Sequence, residues 1–62
     1  MQYSLRELRA RMNWTQAETA KKLGISTQTY NAWEKDLSNV KIGKVISIAS
    51  LFGVRLEELK TN

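Results

Sequence analysis

Sixty-two residues limit the chain to one small domain, and so short a chain buries only about 60% of its unfolded surface, giving a core one side chain deep. Hydrophobic residues make up 42% and charged residues 26%, ordinary for a folded domain, while ten Lys/Arg against six Asp/Glu leave +4. With no Cys or His, no D-x-D-x-D-G calcium loop, no secretory h-region and no apolar run near the ~20 residues of a membrane span, the expectation is a cytoplasmic, basic binding module without metal, cofactor or catalysis.

Helix starts organise the chain. Ser4-Leu5-Arg6-Glu7 has the capping-box pattern, in which a hydroxyl and a carboxylate three residues on satisfy each other's backbone donors. Leu5, Leu8 and Met12 then fall on one face of a first helix. Thr15-Gln16-Ala17-Glu18 repeats the box, and a second helix with Ala17, Ala20 and Leu23 inward stops at Gly24. Ser26 caps a third helix whose inward stripe is Tyr30 and Trp33. Asn39 is expected to cap a fourth, with Ile42, Val45, Ile46, Ala49 and Phe52 inward and its end at Gly53. A last turn or two over 54–59 puts Leu56 and Leu59 on one side, and no segment alternates with period two. The expected fold is all-α, a compact bundle of four helices plus a short fifth.

The informative stretch is 16–35. A short helix stops at Gly24, Ile25 follows, and Ser26 caps the next helix, the spacing of a helix-turn-helix; any helical bundle also has tight corners. The outward arc of the third helix separates the two readings. Gln28, Asn31, Ala32 and Lys35 share it, flanked by Thr27 and Thr29, and it carries no acid. Asn and Gln match the N6/N7 edge of adenine, Thr and Ala the thymine methyl, and Lys guanine or phosphate. A plain solvated face more often mixes Glu with Lys.

The chain resembles the phage-repressor/Cro-type helix-turn-helix family, also called the xenobiotic-response-element family, from Leu5 to Leu59. The resemblance is carried by Leu8-Arg9, Trp14-Thr15-Gln16, 20–26 (AKKLGIS), Trp33-Glu34-Lys35, and 48–54 (IASLFGV) with Leu56 and Glu58-Leu59. It implies a lambda-repressor-like DNA-binding domain over 1–62, with the helix over 27–35 in the major groove of duplex DNA and the second helix across it. By position it implies phosphate contact and buttressing for Gln16 and base contacts for Thr27, Gln28 and Ala32. Thr15, Ser26, Thr29, Asn31 and Lys35 complete the expected interface. Lys41 and Lys44 stand where backbone contacts or merely solubilising charge would both fit.

Arg9 and Glu34 each put a charge on an inward stripe, where an unpaired charge is costly, and the resemblance pairs them in a partly buried structural ion pair. Some family features are altered. Asp36 replaces a usual Gly after the third helix, Val40 a usual Pro, Thr19 a usual buried Leu, and Arg55 a usual Ser or Thr cap. Thr19 weakens the core there, with Trp33 a candidate to fill the volume. The adjacent Glu57 and Glu58 suit a helix start better than acid–base catalysis, and Trp14 and Tyr3 suit a core or cap better than base stacking.

The function expected is that of a sequence-specific transcriptional regulator, with no room for a sensor domain. The alternative is an antirepressor or antitoxin-type module that binds another regulator protein, motivated by Ile48 and Leu51 widening the apolar surface of the fourth helix. A weak homodimer formed on DNA is expected to use Leu51, Arg55, Leu56, Leu59 and the loop before the fourth helix.

Overall fold

The computed structural model describes residues 1–61, so the last position of the expected 1–62 domain, Asn62, lies outside the described residues. It contains α1 (Leu5–Met12), α2 (Gln16–Leu23), α3 (Thr27–Lys35), α4 (Ile42–Phe52) and one 3-10 turn, Leu56–Glu58. The all-helical architecture agrees with the expectation, with the fifth element reduced to a single turn.

Both capping boxes form. Ser4 Oγ and Thr15 Oγ1 accept from the N–H of Glu7 and Glu18, whose carboxylates accept in return from the N–H of Ser4 and Thr15. Three helices also end alike, on a left-handed residue followed by an N–H that reaches five residues back. Asn13 (φ 59°), Gly24 (φ 72°) and Gly53 (φ 67°) hold that position, and Trp14, Ile25 and Val54 donate to the carbonyls of Arg9, Ala20 and Ala49. α3 ends otherwise: Asp36 is extended at φ −162°, and its carboxylate accepts from Ser38 N–H at 2.8 Å. Asp36 thus closes α3 with extended backbone, unlike the left-handed residues that end α1, α2 and α4.

The core is Leu5, Leu8, Ala20, Tyr30, Leu37, Val45, Ile48, Ala49, Phe52 and Leu59. This moves several expected positions. Met12 and Ala17 are exposed, as are Ile42 (63%) and Ile46 (52%), while Ile48 is fully buried. At about 100° per residue, Val45, Ile48, Ala49 and Phe52 span an arc of roughly 100°, with Ile42 and Ile46 off one side and Leu51 off the other. Both candidate stripes have helical spacing, so only packing against the rest of the chain sets the phase. Asn39 does not cap α4. Lys41 is the N-cap residue and offers no side-chain bond. Thr19 is fully buried without an orphaned hydroxyl, because its Oγ1 donates to the Thr15 carbonyl. Trp33 packs against the core and lines a small pocket with Ser4, Leu5, Leu37 and Lys60.

The chain ends are joined by a feature absent from the helical reading. Tyr3 and Leu59 form an isolated parallel β-bridge, with Tyr3 N–H donating to Glu58 and Lys60 N–H to Tyr3. Leu37 N–H adds a bond to the Thr61 carbonyl. Leu59 is therefore core, 2% exposed, and cannot serve the expected dimer surface. Leu51 and Leu56 line separate depressions, Leu51 beside Lys22 and Ile46, and Leu56 beside Val40 and Ile42. Arg55 is exposed and pairs with Glu58 at 3.7 Å. Among the described residues no helix is long and apolar enough to cross a membrane.

Candidate nucleic-acid interface

The turn between α2 and α3 is three residues long, Gly24-Ile25-Ser26, with Ile25 packed against the core and Ser26 extended at ψ 156°. Ser26 Oγ accepts from the N–H of Thr29 and donates to its Oγ1 at 2.9 Å, which closes the first turn of α3. Tyr30 is buried beneath this helix and Trp33 partly so. Thr27, Gln28, Thr29, Ala32 and Lys35 stand exposed on the outside, with Asn31 half-buried among them. Thr15 and Ser26 differ from these, since their hydroxyls are occupied by caps.

Behind the outward face runs a continuous polar chain. Arg9 Nε donates to Glu34 Oε2 at 2.5 Å, and its guanidinium also donates to the Trp14 carbonyl at 3.0 Å. Gln16 Nε2 donates to Glu34 Oε1 at 2.9 Å, and Asn31 Nδ2 donates to Gln16 Oε1 at 3.2 Å. The Arg9 and Glu34 side chains are 19% and 8% exposed, so the pair is shielded but not sealed. Burial pushes the Glu34 carboxyl up, but hydrogen bonds from Arg9 and Gln16 and the Arg9 charge outweigh it and hold the pKa below the usual value. The bond to Glu34 raises Arg9 in turn. Glu34 is thus an ionised acid in α3 whose charge is answered from α1, so it does not repel a polyanion.

The buried hydroxyl of Tyr30 has no hydrogen bond of good geometry, although it faces the Arg9–Glu34 pair. Burial first, and the adjacent Glu34 carboxylate next, raise its pKa above that of a free tyrosine.

Gln16 opens α2, whose N-terminal N–H groups other than the capped one of Glu18 lack a partner within the helix, an arrangement that suits an anion. Lys41 and Lys44 are exposed at the uncapped start of α4. Arg6 was not among the sequence candidates, yet it lines one depression with Gln16, Asn31, Glu34 and Lys35. Its only sequence signal is a basic residue on the outer side of the first helix, which tertiary packing alone brings beside α3. Trp14 packs on Phe52 at 5.8 Å and is covered by Lys22, while Arg11 covers Tyr3. Both rings are partly buried against the core, with a cation over one face of each. Among the described residues, no group of His, Cys, Asp or Glu could hold a metal.

Similarity to known proteins agrees with this geometry. The family model described as helix-turn-helix matches residues 5–59. An uncharacterised HTH-type transcriptional regulator of Methanocaldococcus jannaschii is 41% identical over 59 residues, covering 95% of this chain and 89% of the relative. One from Archaeoglobus fulgidus is 37% identical, covering 95% and 84%. The cryptic phage CTXphi transcriptional repressor RstR of Vibrio cholerae is 34% identical over 55 residues, covering 89% of this chain and 50% of that protein. No solved structure matches the chain. A tight left-handed turn between two short helices and a family match across almost the whole chain lead to one assignment: the protein belongs to the helix-turn-helix family, in its Cro/C1-type branch.

Proposed function

We propose that this chain is a transcriptional regulator that binds duplex DNA sequence-specifically, with α3 in the major groove and the start of α2 across it. One observation carries the reading: the outward face of α3 is exposed, free of acids, and built from amide, hydroxyl, methyl and ammonium groups. Thr27, Gln28, Thr29 and Ala32 take the base edges, and Lys35 a base or phosphate. Gln16 and the free N–H groups of α2 hold one phosphate, and Arg6, Lys41 and Lys44 hold others. Thr15 and Ser26 serve the interface by fixing the first turns of α2 and α3. The described chain acts as one DNA-binding domain in the cytoplasm, without cofactor, metal or catalytic step.

The antirepressor or antitoxin reading is not favoured. Its ground was Ile48 with Leu51, and Ile48 is fully buried. One part of the apolar surface that remains outside, Ile42 and Leu56 with the half-buried Val40, suits a second copy of this chain, which forms the weak homodimer on DNA.

Selecting bound duplexes from a random pool tests the reading. Gln28→Ala is expected to cost roughly 1–3 kcal/mol on the selected site and little on random DNA. Lys44→Ala is expected to weaken both alike and flatten the salt dependence by about one unit. If Gln28→Ala weakens both sequences equally, α3 is not the reader.

A further inference from the structure

The polar chain behind α3 has a direction, and the direction has a consequence for base choice. Glu34 is ionised and paired with Arg9, so its oxygens can only accept. Gln16, 2.9 Å away, must therefore turn its amide NH2 toward Glu34. That leaves Gln16 Oε1 facing Asn31, which must answer with an N–H, as it does at 3.2 Å. Asn31 keeps its Oδ1 and one N–H for the outside. An acceptor beside a donor is what the major-groove edge of adenine requires, with N6–H donating to Oδ1 and N7 accepting from the N–H. With the chain reversed, Asn31 would accept from Gln16 and keep both N–H groups free. Two donors match N7 and O6 of guanine instead.

We infer that Asn31 is a specificity-determining residue that reads adenine, and that Glu34 acts through Gln16 as a positioning residue that sets its amide orientation. The inference rests on α3 being the DNA reader. Asn31 lies on the arc of Gln28, Ala32 and Lys35, half-buried where a base-reading amide can be held from behind.

Glu34→Gln reverses the relay. Arg9 can only donate, so the new amide must give its oxygen to Arg9 and its NH2 to Gln16. Gln16 then turns its own NH2 toward Asn31, which becomes the acceptor. Gln16→Leu cuts the relay without touching the ion pair.

The experiment measures the ratio of adenine-site to guanine-site binding at each position of the selected duplex, with every variant checked for folding by circular dichroism. Asn31→Ala is expected to remove the adenine preference at one position only, by about tenfold. Replacing that adenine with 7-deazaadenine is expected to weaken the wild type and not Asn31→Ala. Glu34→Gln is expected to move the same ratio toward guanine, and Gln16→Leu to lower it. A purely structural role for Glu34 would weaken all duplexes alike and leave the ratio unmoved. If Glu34→Gln does not fold, Gln16→Leu decides: an unchanged ratio overturns the relay. The inference also fails if Asn31→Ala alters no base preference while Gln28→Ala still relaxes one elsewhere. If neither variant alters any preference, α3 is not the reader, and the inference falls with that reading.

Discussion

At Glu34, burial and charge pairing pull in opposite directions, and pairing wins. Removing one partner of a fully buried pair costs ~3–5 kcal/mol because the other charge is stranded. Here Arg9 keeps some access to water, so Glu34→Ala is expected to cost on the order of 1–3 kcal/mol. Urea unfolding of Arg9→Ala, Glu34→Ala and the double variant checks this, and additive costs would mean the two side chains do not couple. Because the folded pKa of Glu34 lies below its unfolded value, the unfolded chain binds more protons in the interval between them. The contribution is therefore full above the usual glutamate range and is lost as pH falls through it and below. Glu34→Gln should flatten the acid side of the stability–pH curve without abolishing it, since Glu7, Glu18, Asp36 and Glu58 are also lowered by backbone N–H bonds. The Arg9–Glu34 pair was legible in the sequence because a charge on an apolar stripe requires a partner and the family resemblance pairs these two positions. The contacts of Gln16 with Glu34 and Asn31 were not, because an amide satisfies any polar neighbour and spacing does not say which. Arg6 stayed hidden for a related reason, as nothing local distinguishes one exposed arginine from another.

Among the elements, α4 is the least well begun. α1, α2 and α3 each start on a hydroxyl that accepts an N–H, whereas α4 starts on Lys41, whose ammonium has nothing to accept with and adds positive charge at the positive end of the helix. Lys41→Ser is expected to stabilise the fold by roughly 0.5–2 kcal/mol, and Asn39→Ala to change little, as read by thermal and urea unfolding. Gly43 has open space around an added Cβ and no positive φ, so Gly43→Ala should contribute a further ~0.5–1 kcal/mol. A loss of stability in Lys41→Ser would show that the lysine is held by a partner. The starts of α1, α2 and α3 were legible because hydroxyl–carboxylate and Gly-x-Ser patterns act within a few residues. The start of α4 is not legible locally, because Asn39 has the right chemistry but sits two residues before the actual N-cap, Lys41. Its buried face is not legible either, because apolar residues cover much of the helix and the choice between Ile46 and Ile48 is made by distant neighbours.

For the molecule as a whole, the bridge between Tyr3 and Leu59 closes a small fold on itself. Leu59→Ala removes a fully buried side chain, which costs ~2–5 kcal/mol, against the few kcal/mol that a domain of this size possesses. It should leave the protein largely unfolded in a urea titration. Size also limits reading. The Cα framework spans 25 × 24 × 18 Å, about seven base pairs at ~3.4 Å each, of which one short helix reads fewer. That is too little for a unique site among the ~10⁶ or more competing positions of a genome, and two-fold pairing on half-sites about 34 Å apart is the usual remedy. With Leu59 buried, the proposed pairing surface is Ile42 and Leu56 around Val40, a patch too small for a stable free dimer. The protein is therefore expected to sediment as a monomer alone and to occupy a full palindrome as two copies, binding it more tightly than either half. Ile42→Gln with Leu56→Gln adds no charge and replaces only exposed residues. This variant should keep the half-site affinity and lose the advantage of the full site. Gel shifts with analytical ultracentrifugation read both quantities, and equal affinity of the wild type for half and full sites, with one copy bound to each, would exclude pairing through this surface.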